Sequence, residues 1–186
     1  QLLQVELQSL KSQLNPHFLF NTLNTIASLI RLDDKSKAIK ALSELSLMLR
    51  KVLENQNNQL ITLQQEIDFI QSYLTIQKMR FEKKLVTKVN INGDTEHCEI
   101  PFMLLQTLVE NAVQHGSQLE SNKNQLTLDI VNNGDRLSIK LINKVPEKCD
   151  HQGFGIGLKN CRQRMNKLYG NNFSLNLNEL DNGYFE

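Results

Sequence analysis

Two short stretches of this sequence bring chemically useful groups together. In the first, Glu110, Asn111 and His115 lie in a segment whose apolar residues Phe102, Leu105, Leu108, Val109 and Ala112 recur at helical spacing. On a helix Asn111 and His115, four apart, project along one face, with Glu110 about 100° to the side. An Asn carbonyl oxygen is a hard ligand suited to Mg²⁺, an imidazole can donate to a phosphate, and a carboxylate can accept a proton or orient water. Taken alone, the same letters also describe a solvated helix face. The second stretch is Gly153-Phe154-Gly155-Ile156-Gly157-Leu158, three glycines at alternate positions running into a helical pattern. Glycine lets backbone amides approach an anion closely, and a helix start supplies unpaired N–H groups, so a phosphate cradle is the chemistry implied. Nine residues separate Gly153 from Asn143, the end of the preceding strand pattern. A dinucleotide-binding motif would follow its strand directly, so that fold is disfavoured.

A third polar group stands near the start. Leu3, Leu7, Leu10 and Leu14 form a helical seam, and continuing that heptad would place His17, Asn21, Asn24 and Ser28 within it. The apolar residues instead resume as Leu19, Leu23, Ile26 and Ile30, with the change of phase at Asn15-Pro16. A proline inside a helix removes a backbone hydrogen bond and kinks it, which accounts for the shift. His17, Asn21, Asn24 and Ser28 then share one outward face.

The elements that must hold these groups follow from periodicity. After a turn at Asp33-Asp34, a second helix carries Ala38, Leu42, Leu45, Leu49 and Val52 on its buried face. Such a hairpin exposes too much apolar surface to stand alone, and a homodimer forming a four-helix bundle is the expected solution. Glu54 to Gln59 reads as a loop, and Thr62-Leu63-Gln64-Gln65 as a capping box opening a third helix that runs to about Phe81, with Leu63, Ile67, Ile70 and Leu74 inward. From there the period becomes two. Leu85, Thr87, Val89 and Ile91 predict a strand before the turn Asn92-Gly93-Asp94; Pro101 is expected to open the next helix and Gly116 to close it. Leu126, Leu128 and Ile130 lead through Asn132-Asn133-Gly134-Asp135 to Leu137, Ile139 and Leu141 as a hairpin. A last helix is predicted from roughly Ile156 to Tyr169, then a strand through Phe173, Leu175 and Leu177. The fold class is α+β: a helical hairpin over residues 1–60, then over 61–186 a connecting helix and a sheet covered by helices on one face.

Composition narrows the function. Forty per cent apolar and 22% charged residues describe an ordinary globular chain, and a net charge of +1 with interspersed signs offers no basic stripe for nucleic acid. Three cysteines without paired spacing suit a reducing compartment, hence cytoplasm. Cys149-Asp150-His151 lacks nearby ligands to complete four-coordination, and no metal is assigned to it. No run reaches the roughly 20 apolar residues of a membrane span, and no signal peptide is present. The chain starts inside a helical pattern and stops at Gly183-Tyr184-Phe185-Glu186 as if a strand were cut short, which predicts a piece of a longer protein.

At these residues a family resemblance enters. PFMLLQTLVENAVQHG resembles the N box of the GHKL ATPases, and GFGIGLKNCRQRMNKLYG their G2 box with its following helix. LNPHFLFNTLNTI resembles the phosphoacceptor helix of LytS-type sensor histidine kinases, and LQQEIDFIQSYLTIQKMRF the segment after it, all in the family's order. The resemblance implies an α/β-sandwich GHKL (Bergerat) ATP-binding domain after the dimerising hairpin. It implies that His17 is phosphorylated from ATP, with Asn21 beside it, and passes the phosphoryl group to an aspartate on a response regulator, suggested to have a LytTR-type DNA-binding output. Asn111 would hold Mg²⁺, His115 would contact phosphates, Gly153, Gly155, Gly157 and Leu158 would form the lid and its anchor, and Glu110 would be the base or water-orienting group. Full-length relatives would be membrane sensors, with this chain as the cytoplasmic part.

Three positions depart from the family. Phe18 stands where many histidine kinases carry an acidic proton acceptor. Asn143 replaces the aspartate that accepts from the adenine amino group, and an uncharged carbonyl accepts that bond less strongly. Tyr184 follows Gly183 where threonine is common. Two other readings therefore stand beside the kinase: a degenerate one that dimerises, binds nucleotide and signals by conformation, and an ATPase that uses Glu110 on water without a phosphohistidine.

Overall fold

The computed structural model describes residues 16–55, 57–116, 124–144, 152–180 and 184–186, and of 152–157 and 185 only the backbone. The leucine seam from Leu3 to Leu14, the phase change at Asn15 and the Cys149-Asp150-His151 cluster lie outside the described residues.

Two helices form the expected hairpin, α1 (Pro16–Arg31) and α2 (Lys35–Asn55). The turn between them places Asp33 at φ 58°, and the Asp34 side chain accepts from the Lys37 amide at 3.2 Å, capping α2. The buried stripe of α1 is Phe18, Thr22, Ile26 and Leu29, while Leu23 and Ile30, expected inside, are exposed. On α2, Ala41 and Met48 are buried where Leu42 was expected, and Leu42 is exposed. An amphipathic helix with two apolar stripes does not reveal from periodicity which one its own chain covers.

The third helix, α3 (Leu63–Phe81), opens with the predicted capping box: Thr62 Oγ1 accepts from the Gln65 amide at 3.2 Å, and Gln65 Oε1 from the Thr62 amide at 3.0 Å. Its predicted inward residues are all buried. It is buried nearly all round, because α1 and α2 pack on one side while the sheet and the next helix pack on the other. A short ladder that the pattern did not show, β1 (Leu60–Thr62) antiparallel to β3 (Glu99–Pro101), lies just ahead of it. Pro101 therefore ends a strand instead of opening a helix, and α4 (Leu104–Gly116) begins after Met103, which sits at φ 62°.

The main sheet runs β2-β4-β5-β7-β6, with β2 (Leu85–Asn92), β4 (Asn124–Asn132), β5 (Leu137–Lys144), β6 (Glu179–Leu180) and β7 (Tyr184–Phe185). β2 and β4 are parallel and the remaining neighbours antiparallel. Leu126, Leu128 and Ile130 of β4 are fully buried, and α3 and α4 pack on the sheet from that core. The last helix, α5 (Gln152–Tyr169), begins four residues before the expected Ile156 and packs on α4. Phe173, Leu175 and Leu177 join no ladder, since β7 takes the β5 edge through Asn143 and Lys144. Arg162 donates to the Leu175 carbonyl at 2.8 Å and ties that segment to α5 instead.

Gly116, at the end of α4, packs directly on a buried polar side chain. A Cβ there would meet the Asn124 amide group at 2.1–2.2 Å, and Asn124 is 4% exposed with little room to give. Gly116→Ala is expected to cost about 1–3 kcal/mol, read as a drop of several degrees in thermal unfolding.

Candidate functional site

The α1 face carrying His17 opens on a cleft whose other walls are α3 and α4. His17, Phe18 and Asn21 line it from α1, Tyr73, Gln77 and Arg80 from α3, and Glu110 and Gln114 from α4. His17 is exposed, and the Asn21 amide nitrogen lies 3.1 Å from each of its ring nitrogens. That amide can donate to whichever ring nitrogen is unprotonated, so Asn21 restrains the turn of the ring in either tautomer.

Phe18 has a role of its own. It is 4% exposed, and its ring centroid is 5.1 Å from that of Tyr73, tilted by 44°. The residue that replaces an acidic neighbour thus anchors the His17 helix onto α3 by aromatic packing.

Glu110 is the carboxylate of this cleft. Burial pushes its pKa above the ordinary carboxylate range, only partly opposed by Gln106, whose Nε2 donates to Glu110 Oε1 at 2.8 Å. A raised pKa makes it a stronger proton acceptor than an exposed glutamate. Tyr73, nearly buried, has its hydroxyl pKa pushed up by burial and by the Glu110 charge, with Arg80 acting in the opposite sense. Both charges are therefore felt at the same phenol.

The start of α4 is held by a carboxylate from α3. Glu66 is fully buried, and its two oxygens accept from the backbone amides of Met103 and Gln106, each at 3.0 Å. This satisfies N–H groups that a helix start leaves without intrahelical partners. Burial raises the Glu66 pKa to about 7, with the amides of Gln106, Met103 and Leu105 and the Arg164 charge pulling the other way. Arg164 of α5 donates to the Phe102 carbonyl and, at 3.4 Å, to that of Gln59, which adds α5 to the same junction.

The remaining candidates are more dispersed. Asn111 and His115 lie half-buried on α4, and burial lowers the His115 pKa, favouring the neutral imidazole. Asn143 is buried at the end of β5, its Nδ2 3.5 Å from the Lys144 carbonyl. Tyr184 donates to Gln125 Oε1 at 3.0 Å, and the Lys144 ammonium lies 5.7 Å from its ring centroid. Gly153, Gly155 and Gly157 fall within the first two turns of α5, with half-buried Leu158 next along it. In a regular helix the first four amides lack intrahelical partners, which includes those of Gly153 and Gly155 but not that of Gly157.

The structure thus brings His17, Asn21 and Glu110 to one cleft. α4, which carries Asn111 and His115, packs on β5 and α5, where Asn143 and the glycines lie. Sequence reasoning missed Tyr73, Gln77, Arg80 and Glu66. The first three recur at i, i+4 and i+7, a spacing that marks one helix face and could have exposed them. Among the described residues no His, Cys, Asp and Glu cluster could hold a metal ion, and no helix is long and apolar enough to cross a membrane.

Residues 5–85 match the histidine kinase family. The chain is 34% identical to the sensor protein LytS of Oceanobacillus iheyensis, over 97% of this chain and 33% of that protein. It is 35% identical to LytS of Streptococcus mutans over 96% of the chain, and 30% identical to the sensor histidine kinase YesM of Bacillus subtilis over 94%, covering 33% and 31% of those proteins. The chain spans about a third of the length of the curated relatives it matches.

Proposed function

Because this chain belongs with the LytS-type sensor histidine kinases, we propose that it is a kinase core that phosphorylates His17 from ATP and passes the phosphoryl group to a response-regulator aspartate. The observation that carries this reading is the shared cleft, which the exposed His17 on α1 and Glu110 on α4 both line.

The donor set suits a magnesium nucleotide. Asn111 offers a hard carboxamide oxygen for Mg²⁺, neutral His115 a hydrogen bond to phosphate, and the first turn of α5 the amides of Gly153 and Gly155. Asn143, with Leu158 as an apolar contact, is assigned to the adenine side. A bound magnesium nucleotide supplies the phosphoryl group and neutralises part of its charge. Within the chain, Asn21 sets the orientation of the His17 ring before transfer, and its amide releases the unprotonated nitrogen when that nitrogen takes the phosphoryl group. As the N–P bond forms, the proton on the other ring nitrogen passes to the Glu110 carboxylate, which burial has made more basic. This assigns to Glu110 the part that an acidic residue at position 18 would otherwise play. The folds proposed for the two parts are a four-helix bundle formed with a second copy and a GHKL-type nucleotide domain. The kinase region is proposed to work in the cytoplasm as part of a longer membrane sensor.

Incubation with [γ-³²P]ATP and Mg²⁺, followed by mapping of the label, tests the proposal. Acid-labile label on His17 is the expected result, and nucleotide binding with no label would favour the degenerate kinase instead.

Dimerisation has its own support. On α1, Leu23 and Ile30 are 52% and 59% exposed, and on α2, Ile39 and Leu42 are 66% and 52% exposed. Apolar side chains spread along both helices are what a second hairpin would cover. The double substitution Leu23→Glu/Leu42→Glu is expected to convert a dimer to a monomer in sedimentation equilibrium, with helicity retained.

A further inference from the structure

We propose, on the autophosphorylation reading above, that Arg80 is a further catalytic residue whose guanidinium seats the phosphoryl group as it passes to His17. Tyr73, Gln77 and Arg80 share one face of α3 and line the same cleft as His17 and Glu110. Connecting helix α3 is thus a wall of the transfer site as well as a link between hairpin and sheet. The Arg80 guanidinium carbon lies 4.7 Å from the Phe81 ring centroid, and Arg80 takes part in none of the ion pairs among the described residues. A ring contact steadies the guanidinium without consuming its N–H donors as a carboxylate would.

The chemistry of the cleft calls for such a group. A phosphoryl group in transit carries its charge on three equatorial oxygens, and a planar guanidinium meets two of them with parallel N–H donors. His17 and Asn21 bring no fixed positive charge, and Glu110 brings a negative one that would repel the incoming phosphate. Arg80 offsets it, since both side chains line the one cleft along with Tyr73. Buried Gln77 adds polarity one turn earlier; its Oε1 has no hydrogen-bond partner. In the step itself a lone pair of a His17 ring nitrogen forms the N–P bond, and the bond from phosphorus to the bridging oxygen breaks with its electron pair leaving on ADP. The other ring proton goes to Glu110, and Arg80 keeps all its protons throughout.

The test compares the whole chain with Arg80→Ala and Arg80→Lys at saturating Mg-[γ-³²P]ATP, with ADP affinity measured by calorimetry. Arg80→Ala should lower the rate of His17 labelling about 100-fold or more while KM for ATP and ADP affinity stay within about twofold. Arg80→Lys, with charge but no planar fork, should fall between. A labelled wild type with an equally labelled Arg80→Ala variant overturns this proposal alone. So does a loss of labelling matched by a loss of ADP affinity, or an Arg80→Lys variant as impaired as Arg80→Ala. Absence of label on wild-type His17 would overturn the autophosphorylation reading beneath it.

Discussion

His17→Gln is expected to abolish transfer of ³²P from ATP to the chain while leaving nucleotide affinity unchanged. Glutamine preserves polarity and approximate size but has no nucleophilic lone pair, so no residual rate through this position should survive. His17 is exposed, and a surface substitution of this kind costs within about 0.5 kcal/mol of stability. A misfolded variant would therefore not explain the loss. The nucleotide candidates lie on α4, β5 and α5, none of which contributes His17, which is why binding and labelling should separate. Phosphate retained on the variant would place the acceptor elsewhere in the chain. A parallel collapse of ADP binding would instead make His17 part of the nucleotide pocket.

The second large effect concerns Glu66 and runs with pH. Its pKa is raised to about 7 from an ordinary 4.5, so between those values the folded chain holds a proton that the unfolded chain has released. Stability from this group is fully present below about pH 4.5 and is lost as pH rises through about 7, a change of about 3 kcal/mol at roughly 1.4 kcal/mol per pH unit. Glu66→Gln keeps the shape, cannot ionise, and leaves only one oxygen to serve the Met103 and Gln106 amides. In urea unfolding, the advantage of wild type over Glu66→Gln should be largest near pH 4.5 and shrink by about 3 kcal/mol by pH 7.5 or so. A difference constant with pH would show that burial does not shift this carboxyl. The effect reaches the site because Glu66 holds the start of the helix that carries Glu110, Asn111 and His115.

Local rules explain where sequence reasoning did well. The Thr62-Gln65 capping box involves residues three apart, and the alternation through Leu126, Leu128 and Ile130 reflects one buried sheet face. Both were legible because the partners are near in sequence or repeat with the element's own period. The start of α4 was misjudged for the opposite reason. Pro101 resembles a helix opener, but the cap comes from Glu66, 37 residues before Met103, and the proline is taken by a three-residue strand. The end of the chain follows the same logic: Phe173, Leu175 and Leu177 alternate like a strand, yet β7 occupies the edge they would need.

By itself, the sequence determined the hairpin, the α+β order, the helix bearing Glu110, Asn111 and His115, and the polar stripe with His17 and Asn21, since each is written in spacing along a single element. Only the tertiary structure decided that His17 and Glu110, 93 positions apart in the chain, face one cleft, that Arg80 joins them from α3, and that Phe18 is an anchor on Tyr73. Those relations depend on which stripe of each helix is buried against which neighbour, and helical periodicity marks the stripes without naming their partners.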